Sequence, residues 1–255
     1  MTTQNSIKLK TLINVLKPGV IVTGPFLESI GISRNLQKYY LKAGWLEPVG
    51  RGAYKRPGDK VEWAGGLNAI QKQIKTKIHV GGLSALSLHG LGHYIRFDRQ
   101  TLYLFSQQKT KLPKWFAEYD WRIKVFHKST SFLSADIGLK TIKIDQIPVI
   151  VSSPERAILE VLYLSPQFFD LEECYHLFEG LVNLQPILVR KLLLDCNSVK
   201  VKRLFLYMAE KANHQWLQFI QIDDINLGKG NRMITKNGVY SSKYLISIPK
   251  ELSEL

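Results

Sequence analysis

Cysteine is scarce in this chain: 255 residues carry two, Cys174 and Cys196. Two thiols build no disulfide framework and fall short of a zinc ligand set, so both read as small buried apolar residues. Long apolar runs are missing as well. The longest aliphatic stretch lies near Ile147–Val151, far below the ~20 residues of a spanning helix. The first ten residues lack the apolar block of a secretory signal. No membrane segment and a cytoplasmic location are therefore expected. Acids are in deficit, 21 Asp and Glu against 35 Lys and Arg, for a net charge of +14. The 18 glycines and 10 prolines follow no period, which excludes a collagen-like or low-complexity chain. What remains is a basic globular chain, 45% hydrophobic, with material for a real core.

The positive charge is concentrated at the start. Residues 1–60 hold ten Lys and Arg against three acids, half of the net excess in under a quarter of the chain. A cationic segment of this kind suits a polyanion, most often nucleic acid. The same residues read as three short helices. The first runs from Ser6 to Lys17, with Ile7, Leu9, Leu12, Ile13 and Leu16 apolar, and stops at Pro18-Gly19. Thr23 caps a second, with Pro25 in its first turn, and Gly31 ends it. Ser33 caps a third, from Arg34 to Ala43. Two short strands follow, joined by Gly50-Arg51-Gly52. Helices two and three lie a tight turn apart, the order of a winged helix-turn-helix.

On the third helix, Leu36, Tyr40 and Ala43 suit a core face, while Arg34, Lys38 and Lys42 recur every fourth residue on another. Asn35 and Gln37 add amides able to read base edges, and the cations suit phosphates. Ser33, Arg34, Asn35, Gln37, Lys38, Lys42, Arg51, Tyr54 and Lys55 are thus the expected DNA contacts. A solvated basic helix that touches nothing is the alternative.

The remainder alternates. A helix is expected over 60–77, a short strand at 78–80, and a helix from Leu83 to His89 after Gly81-Gly82. Strands are expected at 101–105, 122–126 and 139–151, the last with an internal turn. Ser153, Pro154 and Glu155 open a helix strongly, and a helical pattern fills 170–217. The tail, 233–248, returns to strand, with Asn237-Gly238 as a hairpin turn. The fold class expected is α+β: a winged helix over 1–58, then a larger mixed region over 59–255, with a softer division near 95.

Four groups outside the DNA reader carry chemistry. His79, His89 and His93 suggest ligation, but Gly90 and Gly92 break the helix and no carboxylate or thiol sits at ligand spacing, so packing is favoured over metal. Gly81-Gly82 suits a tight turn or an anion at a helix start. Glu155-Arg156 reads as a capping acid with a paired arginine, or as a contact for a partner. Lys229 and Arg232, in the glycine loop 227–232, either touch phosphate or are merely solvated. Neither metal nor cofactor is called for.

Three segments together resemble the AbiEi family, the antitoxin halves of AbiE-type (type IV) toxin–antitoxin systems of abortive infection and phage defence. Ser33 to Leu46 with Gly50-Arg51-Gly52-Ala53-Tyr54 is similar to that family's winged helix and wing. Val80-Gly81-Gly82-Leu83-Ser84-Ala85-Leu86, with Leu88-His89-Gly90-Leu91 and His93, is similar to its central motif. Val151-Ser152-Ser153-Pro154-Glu155-Arg156-Ala157-Ile158-Leu159-Glu160 is similar to a third. The resemblance implies a non-enzymatic autorepressor that binds double-stranded operator DNA. It also implies an antitoxin against a nucleotidyltransferase-like toxin, with or without direct contact. Glu155, Arg156, Lys229 and Arg232 become the candidate antitoxin residues. Two other readings stay open: a nucleic-acid-processing enzyme with a basic targeting domain, and a ligand-sensing transcription factor.

Overall fold

The computed structural model describes residues 3–92, 101–236 and 238–254. His93 and the softer division near 95 lie outside the described residues. The chain begins with α1 (Thr3–Val15), β1 (Val22–Thr23), α2 (Gly24–Ser29), α3 (Arg34–Lys42), β2 (Glu47–Gly50) and β3 (Ala53–Lys55). The strands form an antiparallel sheet in the order β1-β3-β2. This is a winged helix-turn-helix. Local chemistry builds it: the Thr23 hydroxyl accepts from the Phe26 N–H and the Ser33 hydroxyl from the Leu36 N–H, satisfying amides that the first helical turns leave free. Its core is Leu12, Leu16, Val22, Leu27, Ile32, Tyr40 and Leu46. The expected apolar stripe of α1 is narrower than it looked, since Ile7 and Ile13 are 61% and 52% exposed.

The larger part opens with α4 (Trp63–Ala69), which widens into a π-helical turn, Ile70–Ile74. The long helix expected over 60–77 is therefore short. Gln71 and Gln73 sit roughly 200° apart around a regular helix and serve different partners. Gln71 donates to the Ile78 and Ile150 carbonyls, whereas Gln73 reaches back to the winged helix. The path continues through β4 (Ile78–Val80), α5 (Gly82–Leu88), β5 (Thr101–Ser106), α6 (Lys114–Glu118), β6 (Lys124–Ser129), β7 (Leu139–Ile144) and β8 (Ile147–Ser152). These strands make one mixed sheet, β6-β5-β4-β8-β7. α7 (Pro154–Leu164), α8 (Leu171–Glu179), α9 (Pro186–Asp195) and α10 (Val199–Lys211) follow. One face of the sheet packs on α4 and the aromatic trio Trp115, Phe116 and Trp121. The other packs on α5 and α7, and its core continues through α8–α10. Both cysteines are buried there, and burial pushes the Cys174 thiol up to about 12 and Cys196 to about 11.

A small sheet closes the chain: β9 (Arg232–Met233), β10 (Val239–Ser241) and β11 (Ile246–Ile248), followed by α11 (Lys250–Glu254). Here the expected hairpin is corrected. Asn237, in the expected turn, lies outside the described residues; among the described residues β9 and β10 do not pair but flank β11, one parallel and one antiparallel. Asp145-Gln146, between β7 and β8, has left-handed φ at both central residues, 47° and 69°. That is the geometry a two-residue hairpin demands.

The winged helix is packed firmly onto the rest. Ile21 and Ala53 belong to the same core as Leu67, Val80 and Phe116. Gly19 N–H donates to Asp59 at 2.7 Å. A Cβ on Gly65 would lie 1.9 Å from the Gly19 carbonyl oxygen, so backbone meets backbone at this seam.

Candidate nucleic-acid interface

Between α3 and the wing runs an open groove whose walls include Arg34, Lys38 and Arg51. Ser33 is held as the cap of α3. Arg34, Asn35, Lys38 and Lys42 are all exposed along the helix, as is Arg51 at the wing tip. Arg34 is partly neutralised: its Nε donates to Glu28 at 2.6 Å, and this bond raises the guanidinium above its usual pKa. Lys38, Lys42 and Arg51 are in no ion pair among the described residues. Tyr54 is half-buried on the groove wall, and burial raises its phenol. Ala43 is exposed, so the inner face of α3 is Leu36, Gln37, Tyr40 and Leu41.

Two of the expected contacts have partners inside the fold. Gln37 is 3% exposed, and its Nε2 donates to the Gly24 carbonyl at 3.2 Å and the Ile32 carbonyl at 3.0 Å. It ties α2 to α3 instead of offering its amide to a base. Lys55 pairs with Glu47 at 2.9 Å and donates to the Asp59 carbonyl at 2.7 Å. The Lys55 hydrogen bond holds Glu47 below the usual carboxylate range, and Glu47 raises Lys55 in turn. Gln37→Ala is accordingly expected to lower stability by ~1–3 kcal/mol, because two buried carbonyls lose a donor. Were Gln37 a base reader, the variant would instead change the protein's preference among duplex sequences. Urea unfolding together with binding to a panel of base-substituted duplexes measures both.

The central and third motifs meet at a buried carboxylate that the sequence reading did not weigh. Glu160 is fully buried. Its Oε1 accepts from Arg156 Nε at 2.8 Å and His79 Nε2 at 2.9 Å, and its Oε2 from Ser152 Oγ at 2.8 Å and Gly82 N–H at 2.9 Å. Burial pushes this carboxyl up, but His79, Arg156 and the Gly82 amide together bring it down to about 2. A Cβ on Gly81 would sit 2.2 Å from Glu160 Oε2. The glycine pair therefore does hold an anion, one supplied by the chain itself. His89 donates to the Ser152 carbonyl at 2.9 Å. Among the described residues, no group of three or more His, Cys, Asp or Glu is placed to hold a metal.

Arg156 also donates to the Ser134 and Ile137 carbonyls, at 2.8 and 2.6 Å. Glu155 is 2% exposed and accepts from the Gln185 N–H at 3.1 Å. Neither reaches the surface, so the partner-contact reading of this pair gives way to the stabilising one. The i,i+4 spacing of Arg156 and Glu160 was the available signal. Lys229 and Arg232 are exposed, on a loop organised from beneath. The buried Arg203 donates to the Leu227, Gly228, Gly230 and Leu245 carbonyls at 2.8–3.2 Å.

Two family models cover the chain. The N-terminal domain of AbiEi antitoxin transcriptional regulators matches residues 5–97, and the AbiEi antitoxin and transcriptional regulator of type IV toxin–antitoxin systems matches residues 99–249. No curated protein matches the chain. The crystal structure of the RV2827C protein from Mycobacterium tuberculosis is similar in fold, with a TM-score of 0.60 at 13% identity. The match covers 96% of this chain and 91% of that one. With both models placed along the molecule just described, the chain belongs to the AbiEi family of antitoxin transcriptional regulators of type IV toxin–antitoxin systems.

Proposed function

We propose that the protein represses its own operon by binding operator DNA through α3 and the wing, and counteracts a nucleotidyltransferase-like toxin. It does so by binding and not by turnover. The observation that carries the DNA half is the exposed row of Lys38 and Lys42 on α3, with Lys38 and Arg51 lining one open groove and none of the three in an ion pair among the described residues. Such cations neutralise phosphates, while Arg34 and Asn35 at the start of α3 are the candidates for base edges. DNA binding is assigned to residues 1–58 and antitoxin work to 59–255. Within the latter, Lys229 and Arg232 are the accessible candidates, and Glu155 and Arg156 support the fold.

The test uses the full chain and a duplex spanning the promoter upstream of its own gene. Lys38→Ala/Lys42→Ala is expected to weaken binding to this duplex and to an unrelated one alike. It should also lower the slope of log K against log salt by about two. Rescue of cells expressing the adjacent toxin gene should persist in this variant and fall in Lys229→Ala/Arg232→Ala. An unchanged slope with full affinity would remove α3 from the interface.

A further inference from the structure

The positive charge of this chain is not spread over the whole molecule. No Lys or Arg occurs from residue 157 through 189, and none from 212 through 228, in a chain where 35 of 255 residues are Lys or Arg. Acids do occur there. Glu160 is buried, but Asp170, Glu179, Asp223 and Asp224 are exposed, and Glu172 and Glu173 half-exposed. On α8, Glu172, His176 and Glu179 fall at i, i+4 and i+7, one stripe of the helix.

The fold brings the two segments together. Trp216 Nε1 donates to the Leu181 carbonyl at 2.8 Å and His214 Nε2 to the Phe178 carbonyl at 2.6 Å. The 3-10 turn Gln215–Phe219 therefore lies along the chain leaving α8, and α9 touches the same turn. All of this belongs to the layer of α8–α10, on the side of the five-stranded sheet opposite α4, α6 and the winged helix. A molecule bound to DNA through α3 and the wing leaves this face open.

Three large apolar side chains stand out of it: Ile187 is 87%, Phe219 69% and Val182 61% exposed. Their neighbours Leu181, Leu184 and Trp216 are buried, so the segments that present them are fixed. Val182 and Gln215 share a cleft of about 620 Å³ whose other walls include Glu179, Asn183 and Asn213. One carboxylate and three carboxamides offer acceptors suited to a guanidinium or an ammonium. Glu179 meets His176 at 2.9 Å and pairs with no Lys or Arg among the described residues. The bordering cations are in part engaged: Arg190 pairs with Asp224, and Lys211 lies over the Tyr175 ring at 5.7 Å. Lys191, one turn on from Ile187, is an exposed cation at the border.

Exposed apolar anchors rimmed by charge of one sign make up a protein-docking surface, and the sign selects the partner. An anionic rim repels nucleic acid and admits a cationic protein. A nucleotidyltransferase-like enzyme is such a protein where it works, since gripping a triphosphate takes Lys and Arg. We propose that the face of Val182, Ile187 and Phe219 docks the cationic, phosphate-handling surface of the toxin, with an arginine or lysine of the toxin in the Glu179 cleft. The proposal rests on the antitoxin reading above and gives it a surface of opposite sign to Lys229 and Arg232.

The experiment uses the full-length protein and the purified product of the adjacent toxin gene. Complex formation is measured by calorimetry at several salt concentrations and by sedimentation velocity, beside toxin rescue in cells and affinity for the promoter duplex. Wild type is expected to hold toxin and duplex at once. Ile187→Ser/Phe219→Ser should weaken the toxin complex ~10-fold or more, and Glu172→Gln/Glu179→Gln should weaken it and flatten its salt dependence. Both variants should rescue poorly while keeping wild-type DNA affinity and melting temperature. If wild type rescues cells but forms no complex, or if both variants bind toxin as wild type does, the docking face is overturned and the antitoxin reading stands. If the chain alone self-associates and the Ile187→Ser/Phe219→Ser variant does not, the face serves a second copy and the proposal is overturned. If wild type gives no rescue, the antitoxin reading itself falls.

Discussion

Glu160→Ala is expected to cost ~3–5 kcal/mol, the range for removing one member of a buried, fully bonded charge cluster. The cost comes from what is left behind. Arg156 would keep its two carbonyls but lose its counter-charge, while His79, Ser152 Oγ and the Gly82 amide would each face a void. At a few degrees per kcal/mol for a chain of this size, the melting temperature should fall by roughly 10 °C. The pH dependence has a defined sign. The folded carboxyl titrates at about 2, below its ordinary 4.5. Its contribution is therefore complete above about pH 4.5 and is lost as pH falls toward 2, an effect of about 3 kcal/mol. Glu160→Gln keeps shape and one acceptor but not the charge, so it should be less destabilised than Glu160→Ala and should lose that acid-sensitive part. Thermal melts of the three proteins between pH 2 and 7 decide this. A Glu160→Gln protein as stable as wild type, with the same acid profile, would show that the charge contributes nothing.

Arg51→Glu is expected to have the largest effect on DNA binding of any single change. Arg51 is exposed at the wing tip between two glycines, so no neighbouring side chain shields it from an approaching phosphate. Deleting the charge removes one attraction, about 1 kcal/mol in water at contact distance, or a factor of about five. Reversing it adds a repulsion of similar size, so Arg51→Glu should lose on the order of 30-fold at low salt where Arg51→Ala loses ~5-fold. The gap between the two should narrow as salt rises and screens both terms. Gel-shift titrations at two salt concentrations, with a melting curve as control, measure it. Equal affinities for wild type and Arg51→Glu at low salt would mean that the hairpin is no DNA wing.

The elements that the chain announces most clearly are those built from neighbours. Thr23, Gly31 and Ser33 act within three or four residues of themselves, so the caps and the turn of the helix-turn-helix were legible. Pairing across the chain was not. Asn237-Gly238 carries the strongest local hairpin signal, yet β9 and β10 each find β11. Asp145-Gln146 carries a weaker one and makes the tight turn, because six residues on either side pair in register. The same limit governed the site. Lys38, Lys42 and Arg51 are exposed as their spacing suggests. Gln37, polar and three residues before Tyr40, looked like a reader of bases because nothing local reveals the Gly24 and Ile32 carbonyls that claim it. Glu160 escaped notice since its partners lie up to 81 positions away.

Arg203 gives the loop that carries Lys229 and Arg232 an unusual footing. Its guanidinium is anchored by four peptide oxygens and, among the described residues, no carboxylate, so protonation of acids leaves the anchor intact where the Glu160 cluster dissolves. A glycine-rich segment would ordinarily surrender ~1–2 kcal/mol of entropy per residue on being immobilised. In this loop, that loss is incurred when the chain folds. Whatever docks on these two side chains meets a surface already shaped, and association there should proceed with rapid on-rates and little conformational adjustment.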